Sequence, residues 1–104
     1  MTNLFDDLPI RADAEVLTEV LSRENVRIER IVSTGQATPA DKPFRQGHDE
    51  WVLLLAGSAG LRIEGEAERT LHPGDHAFIA ANRPHWVTWT AKDKPTIWLA
   101  VHFG

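Results

Sequence analysis

At 104 residues the chain can build one hydrophobic core but not two, so a single domain is expected. Hydrophobic residues at 42% and charged ones at 25% set it apart from disordered chains, and the lack of cysteine excludes disulfide scaffolds, thiolate metal sites and cysteine nucleophiles. A net charge of -4 with no long basic cluster argues against nucleic acid as a partner; no apolar run reaches the ~18 residues of a membrane span, so no membrane partner and a cytoplasmic location are expected.

In chain order, Ala14, Val16, Leu17, Val20 and Leu21 recur at three- and four-residue spacings between Asp13 and Asn25, which predicts a short helix in an N-terminal segment, 1–25. From Val26 the period becomes two, as in VRIERIVS, and 26–104 reads as a β domain. Strands are expected near 26–33, 44–56, 60–64, 67–72, 76–80, 85–90 and 96–103. Turn residues separate them: Gly57-Ser58-Ala59-Gly60, Gly65-Glu66, His72-Pro73-Gly74-Asp75, Asn82-Arg83-Pro84 and Lys92-Asp93-Lys94-Pro95. Short connections favour antiparallel neighbours in a sandwich or barrel, and TGQATPADKP reads as a long loop at its mouth.

The stretch FRQGHDEWVLLLAG carries the chemistry. Side chains alternate along a strand, so Gln46, His48, Glu50, Val52, Leu54 and Ala56 share one face, while Trp51, Leu53 and Leu55 share the other. A strand apolar on both faces lies between two layers, with its polar end at the floor of a pocket. In TIWLAVHF the same alternation puts Trp98, Ala100 and His102 on one face, which looks inward if Ile97, Leu99, Val101 and Phe103 pack outward under the helix.

These residues resemble the cupins. Glu50, six intervening residues and Gly57 match the end of the first cupin motif, and Pro73-Gly74-Asp75 followed by His85 matches the spacing of the second. The resemblance spans residues 44 to 86 and implies an all-β, cupin-like antiparallel β-barrel or jelly roll. Two histidines that usually precede the glutamate are replaced by Phe44 and Gln46, and Ala80 and Asn82 stand where the second motif usually has proline and glycine. Taken alone, Glu50 would read as an exposed strand-end carboxylate and His85 as a structural histidine; the paired spacing turns both into site residues.

The resemblance implies one divalent metal, Fe, Mn, Ni or Zn, held by Glu50 and His85 with help from Gln46, His48 or His102. Phe44, Val52, Trp89 and Trp98 are expected to line the pocket, with Trp51 and Trp86 outside. His72 and His76, flanking the Pro-Gly-Asp turn, are expected at the surface. Two functions follow: a metal-dependent enzyme acting on a small molecule, or a non-catalytic barrel that binds or senses a small ligand, with or without metal. Fold alone does not choose between them. Apolar residues on the outer strand faces, Trp51, Leu53 and Leu55 among them, further suggest a homodimer.

Overall fold

In the computed structural model, which describes residues 1–104, the expected N-terminal helix is replaced by a strand. β1 (Val16–Arg23) and β2 (Val26–Ser33) form an antiparallel hairpin across Glu24-Asn25, with Asn25 at φ 66°. Asparagine tolerates this left-handed conformation better than most residues. The correction has a local cause. Leu17 pairs with Ile31 and Glu19 with Glu29, but Leu21 pairs with Ile28, so Val20 is an extra residue in a bulge. That one-residue shift breaks the two-residue period and mimics helical spacing. The β region therefore begins before residue 26, at Val16.

The remaining strands are β3 (Asp49–Ala56), β4 (Ala59–Ile63), β5 (Arg69–Leu71), β6 (His76–Ile79), β7 (His85–Thr90) and β8 (Thr96–Phe103). They form a five-stranded sheet in the order β1-β2-β8-β3-β6 and a three-stranded sheet in the order β5-β4-β7, and all pairings are antiparallel. The expected barrel is not closed: β1 and β6 remain edges of the larger sheet and β5 and β7 of the smaller. A single bridge between Phe44 and His85 ties the segment before β3 to β7.

Val52, Leu54, Leu61, Ile63, Leu71, Ile79 and Trp98 interdigitate between the sheets. Burying a side chain such as Leu54 or Leu71 contributes roughly 1.5–3 kcal/mol, and both are essentially inaccessible. Gly57, at φ +88°, makes the β3–β4 turn; a Cβ there would lie 2.7 Å from Thr96 Cα, so only glycine fits. On the outer face of the larger sheet Arg30 is buried under the N-terminal segment, and its Nη1 donates to the carbonyls of Leu4 and Asp6. The residues before β1 thus cover part of the sheet as a turn-rich strap.

Candidate ligand site

Between the sheets lies a cavity of about 240 Å³. Its polar end joins β3, β7, β8 and β2, which carry Glu50, His85, His102 and Glu29; its apolar wall includes Leu61, Val87, Ile79 and Ile31. Register explains the grouping. Glu50 pairs with His102 across β3 and β8, and Glu29 lies on the neighbouring β2. His85 comes from the facing sheet, where it pairs with Ile63.

The two sides of this floor differ in how their polar atoms are satisfied. On the β2–β8 side, His102 Nε2 donates to Glu29 Oε1 at 2.8 Å, because a carboxylate can only accept. In the neutral ring His102 Nδ1 then accepts from His48 Nε2 at 2.9 Å, with the rings edge to face at 4.9 Å. Arg27 Nε stands 3.7 Å from the second oxygen of Glu29. Every strong group here has a partner.

On the β3–β7 side, Glu50 Oε1 accepts the Gln46 amide at 3.0 Å, and His85 Nδ1 meets the Arg83 carbonyl at 3.1 Å. This leaves the neutral His85 ring with its lone pair on Nε2, facing Glu50 Oε1 at 3.7 Å, beyond hydrogen-bond reach. Glu50 Oε2 is 4.0 Å from His102 Nε2 and has no donor. Both side chains are more than nine-tenths buried. Glu15 lines the same cavity, and its carboxylate accepts the Ser33 hydroxyl at 2.9 Å. Burial, reinforced by the charge of Glu50 and opposed by the Ser33 hydrogen bond, raises the Glu15 pKa.

The donor set does not fit a resident metal as arranged. No three His, Asp or Glu side chains stand together so as to hold an ion. Both nitrogens of His102 are engaged, and Gln46 turns its NH₂ rather than its carbonyl toward Glu50. Free donor atoms remain on Glu50 and His85, where a bound divalent ion takes at least about three protein ligands.

Gln46, His48, Glu50, His85 and His102 all line the cavity, as do Phe44, Val52 and Trp98. Trp89 does not. Leu61 pairs with Val87 but Gly60 with Trp89, so Thr88 is a bulge residue, and Trp89 moves to the outer face where Gly60 leaves room for its indole. Trp86 is outside, under the Arg62 guanidinium at 3.8 Å, with its indole N–H donating to the Ala40 carbonyl. Glu15, Arg27 and Glu29 line the cavity and were missed. For Arg27 and Glu29 a signal existed: the alternation in VRIERIVS places them on one face with Ile31.

A family model described as a cupin domain matches residues 30–102. A crystal structure of a provisionally named mannose-6-phosphate isomerase from Ralstonia eutropha JMP134 is 43% identical, with 99% of this chain and 96% of that chain aligned at a TM-score of 0.96. A cupin superfamily protein from Desulfitobacterium hafniense DCB-2 aligns over 92% of this chain and 83% of its own at 16% identity and a TM-score of 0.75. The DMSP lyase DddQ from Ruegeria pomeroyi DSS-3 has a TM-score of 0.75 at 23% identity, over 88% of this chain and 48% of its own. At those two lower identities the likeness concerns the fold. No curated protein matches the sequence at a significant level.

Proposed function

This chain belongs to the cupin domain family, and from that premise we propose that it binds a small molecule in the cavity between its sheets, against Glu50 and His85. One observation carries the reading: two buried side chains send an unpartnered oxygen and nitrogen into a cavity whose other walls are largely apolar. Polar groups that converge without protein partners on a largely apolar cleft are the usual form of a ligand site. A simply packed interior would leave neither atom open.

The pair also suits proton transfer. The open Nε2 of His85 can take a proton from a bound ligand, and the Glu50 carboxylate beside it would stabilise the imidazolium. If the chain is an enzyme, this is the step its own residues supply. The substrate class in the name of the Ralstonia protein is not favoured by the lining, because a phosphate would meet Glu15, Glu29 and Glu50 with Arg27 as the one guanidinium.

The test is a screen of small neutral and charged fragments against the full chain, read from amide chemical shifts. Binding should move Glu50, Val52, His85 and Val87, and Glu50→Gln and His85→Ala should weaken it while His72→Ala does not. Fragments that shift only outer-face residues, or no binding at all, would overturn the reading.

A second reading, a divalent metal at Glu50 and His85, is favoured by the Arg83 carbonyl, which fixes the His85 ring as second partners do for metal-bound histidines. It requires His48 or His102 to leave its present partner, or Gln46 to turn over. Titration of chelator-treated protein with Mn(II), Ni(II) and Zn(II) should then show binding that Gln46→His tightens, and wild-type protein that takes up none of them removes this reading.

The proposed setting is cytoplasmic, as a homodimer in which each chain is one cupin-like domain. Trp51, Leu53 and Leu55 on the outer face of β3, with Phe78 on β6 54% exposed, are the surface proposed for the dimer. Sedimentation giving only monomer at tens of micromolar, roughly the range where such interfaces persist, would refute it.

A further inference from the structure

The charge inside the cavity is unbalanced in a way that specifies its ligand. Three carboxylates, Glu15, Glu29 and Glu50, face it together with one guanidinium, Arg27. Glu29 already has Arg27 on one oxygen and His102 on the other. Glu15 receives a hydroxyl from Ser33, and Glu50 receives the Gln46 amide on Oε1 and nothing on Oε2. Neither has a Lys or Arg partner. A buried carboxylate such as Glu50 without a cation is costly, and with the half-buried Glu15 lining the same cavity the site favours a positive charge that comes from outside.

The remaining lining describes the rest of that molecule. Phe44, Trp98, Leu61 and Val87 offer apolar and aromatic surface beside the carboxylates. Aromatic faces attract organic cations, whereas a hydrated metal ion gains nothing from a leucine wall.

We propose that the cavity takes a small organic cation, a protonated amine with an apolar body, its ammonium between Glu15 and Glu50 and its body against Leu61, Val87 and Trp98. This rests on the reading of the cavity as a small-molecule site and adds the class of ligand. Ammonium N–H groups would donate to the open Glu50 Oε2 and to Glu15, forming charge-assisted bonds in place of unpartnered acceptors.

The experiment uses the chelator-treated chain and three probes of one shape, cyclohexylamine, cyclohexanol and cyclohexanecarboxylate, titrated near neutral pH by calorimetry. The amine should bind tighter than the alcohol by about tenfold or more, a margin set by charge-assisted hydrogen bonds, and the carboxylate should bind more weakly than either. Glu50→Gln and Glu15→Gln should each reduce amine affinity by a larger factor than alcohol affinity, with circular dichroism confirming that both variants fold. Equal or better binding of the alcohol or the carboxylate overturns the proposal, as does an amine affinity indifferent to both substitutions, or no amine binding at all. Cavity binding of neutral fragments in the earlier screen without an amine preference would remove only the charge assignment. Failure of that screen would remove the site itself.

Discussion

The two sides of the cavity floor use the same residue types, a glutamate and a histidine, for opposite purposes. Glu29 and His102 bond each other at 2.8 Å and draw in His48 and Arg27, whereas Glu50 and His85 stop 3.7 Å apart with atoms left open. The difference comes from where the strands lie. Glu29 and His102 sit on adjacent strands of one sheet, so backbone pairing brings them together; Glu50 and His85 face each other across two sheets, and the gap between sheets becomes usable space. Satisfied groups hold shape, and unsatisfied ones are available to a ligand.

Breaking the satisfied side should cost the most stability. Glu29→Ala leaves the buried His102 N–H without an acceptor and should lower unfolding free energy by about 1–3 kcal/mol in urea titration. A change indistinguishable from zero would mean that the two sides are energetically alike. Glu50→Gln, on the open side, should alter stability by less than ~1 kcal/mol, because the charge it removes has no cationic partner, while ligand affinity falls. If this variant unfolds as readily as Glu29→Ala, Glu50 is a structural residue.

His48→Ala sharpens the contrast within the satisfied side. It removes only the outer member of the chain, so a loss of about 1 kcal/mol is expected, together with a shift of the His102 ring resonances in nuclear magnetic resonance. The smallest effect belongs to Glu15. Its folded-state pKa is raised above the usual 4.5, so the folded chain holds the proton more tightly than the unfolded one. Stability from this group is fully present below 4.5 and is lost as pH rises through the higher folded value. Glu15→Gln should therefore raise the melting temperature at pH values above that window and leave it unchanged in acid. An equal shift at both ends would assign the effect to packing.

Much of the fold was legible in local patterns. Strands β7 and β8 fall at the expected 85–90 and 96–103, and the alternation of β3 and β8 turned Glu50, Val52, Trp98 and His102 inward, because a strand between two layers must alternate wherever its pairing is regular. The spacing of Glu50, Gly57, Gly74 and His85 was enough to indicate the cupin family, since Gly57 occupies a turn that no side chain can enter. Tertiary structure decided what local pattern could not. Bulges at Val20 and Thr88 turned an expected helix into a strand and moved Trp89 out of the pocket, because one extra residue exchanges the faces of everything beyond it. Pairing between strands distant in sequence brought Glu29 to His102, and the packing of one sheet over the other kept His85 just out of reach of Glu50. Whether a buried polar atom is satisfied depends on those long-range partners, which is why the residue types of the site could be read from the chain and its open atoms could not.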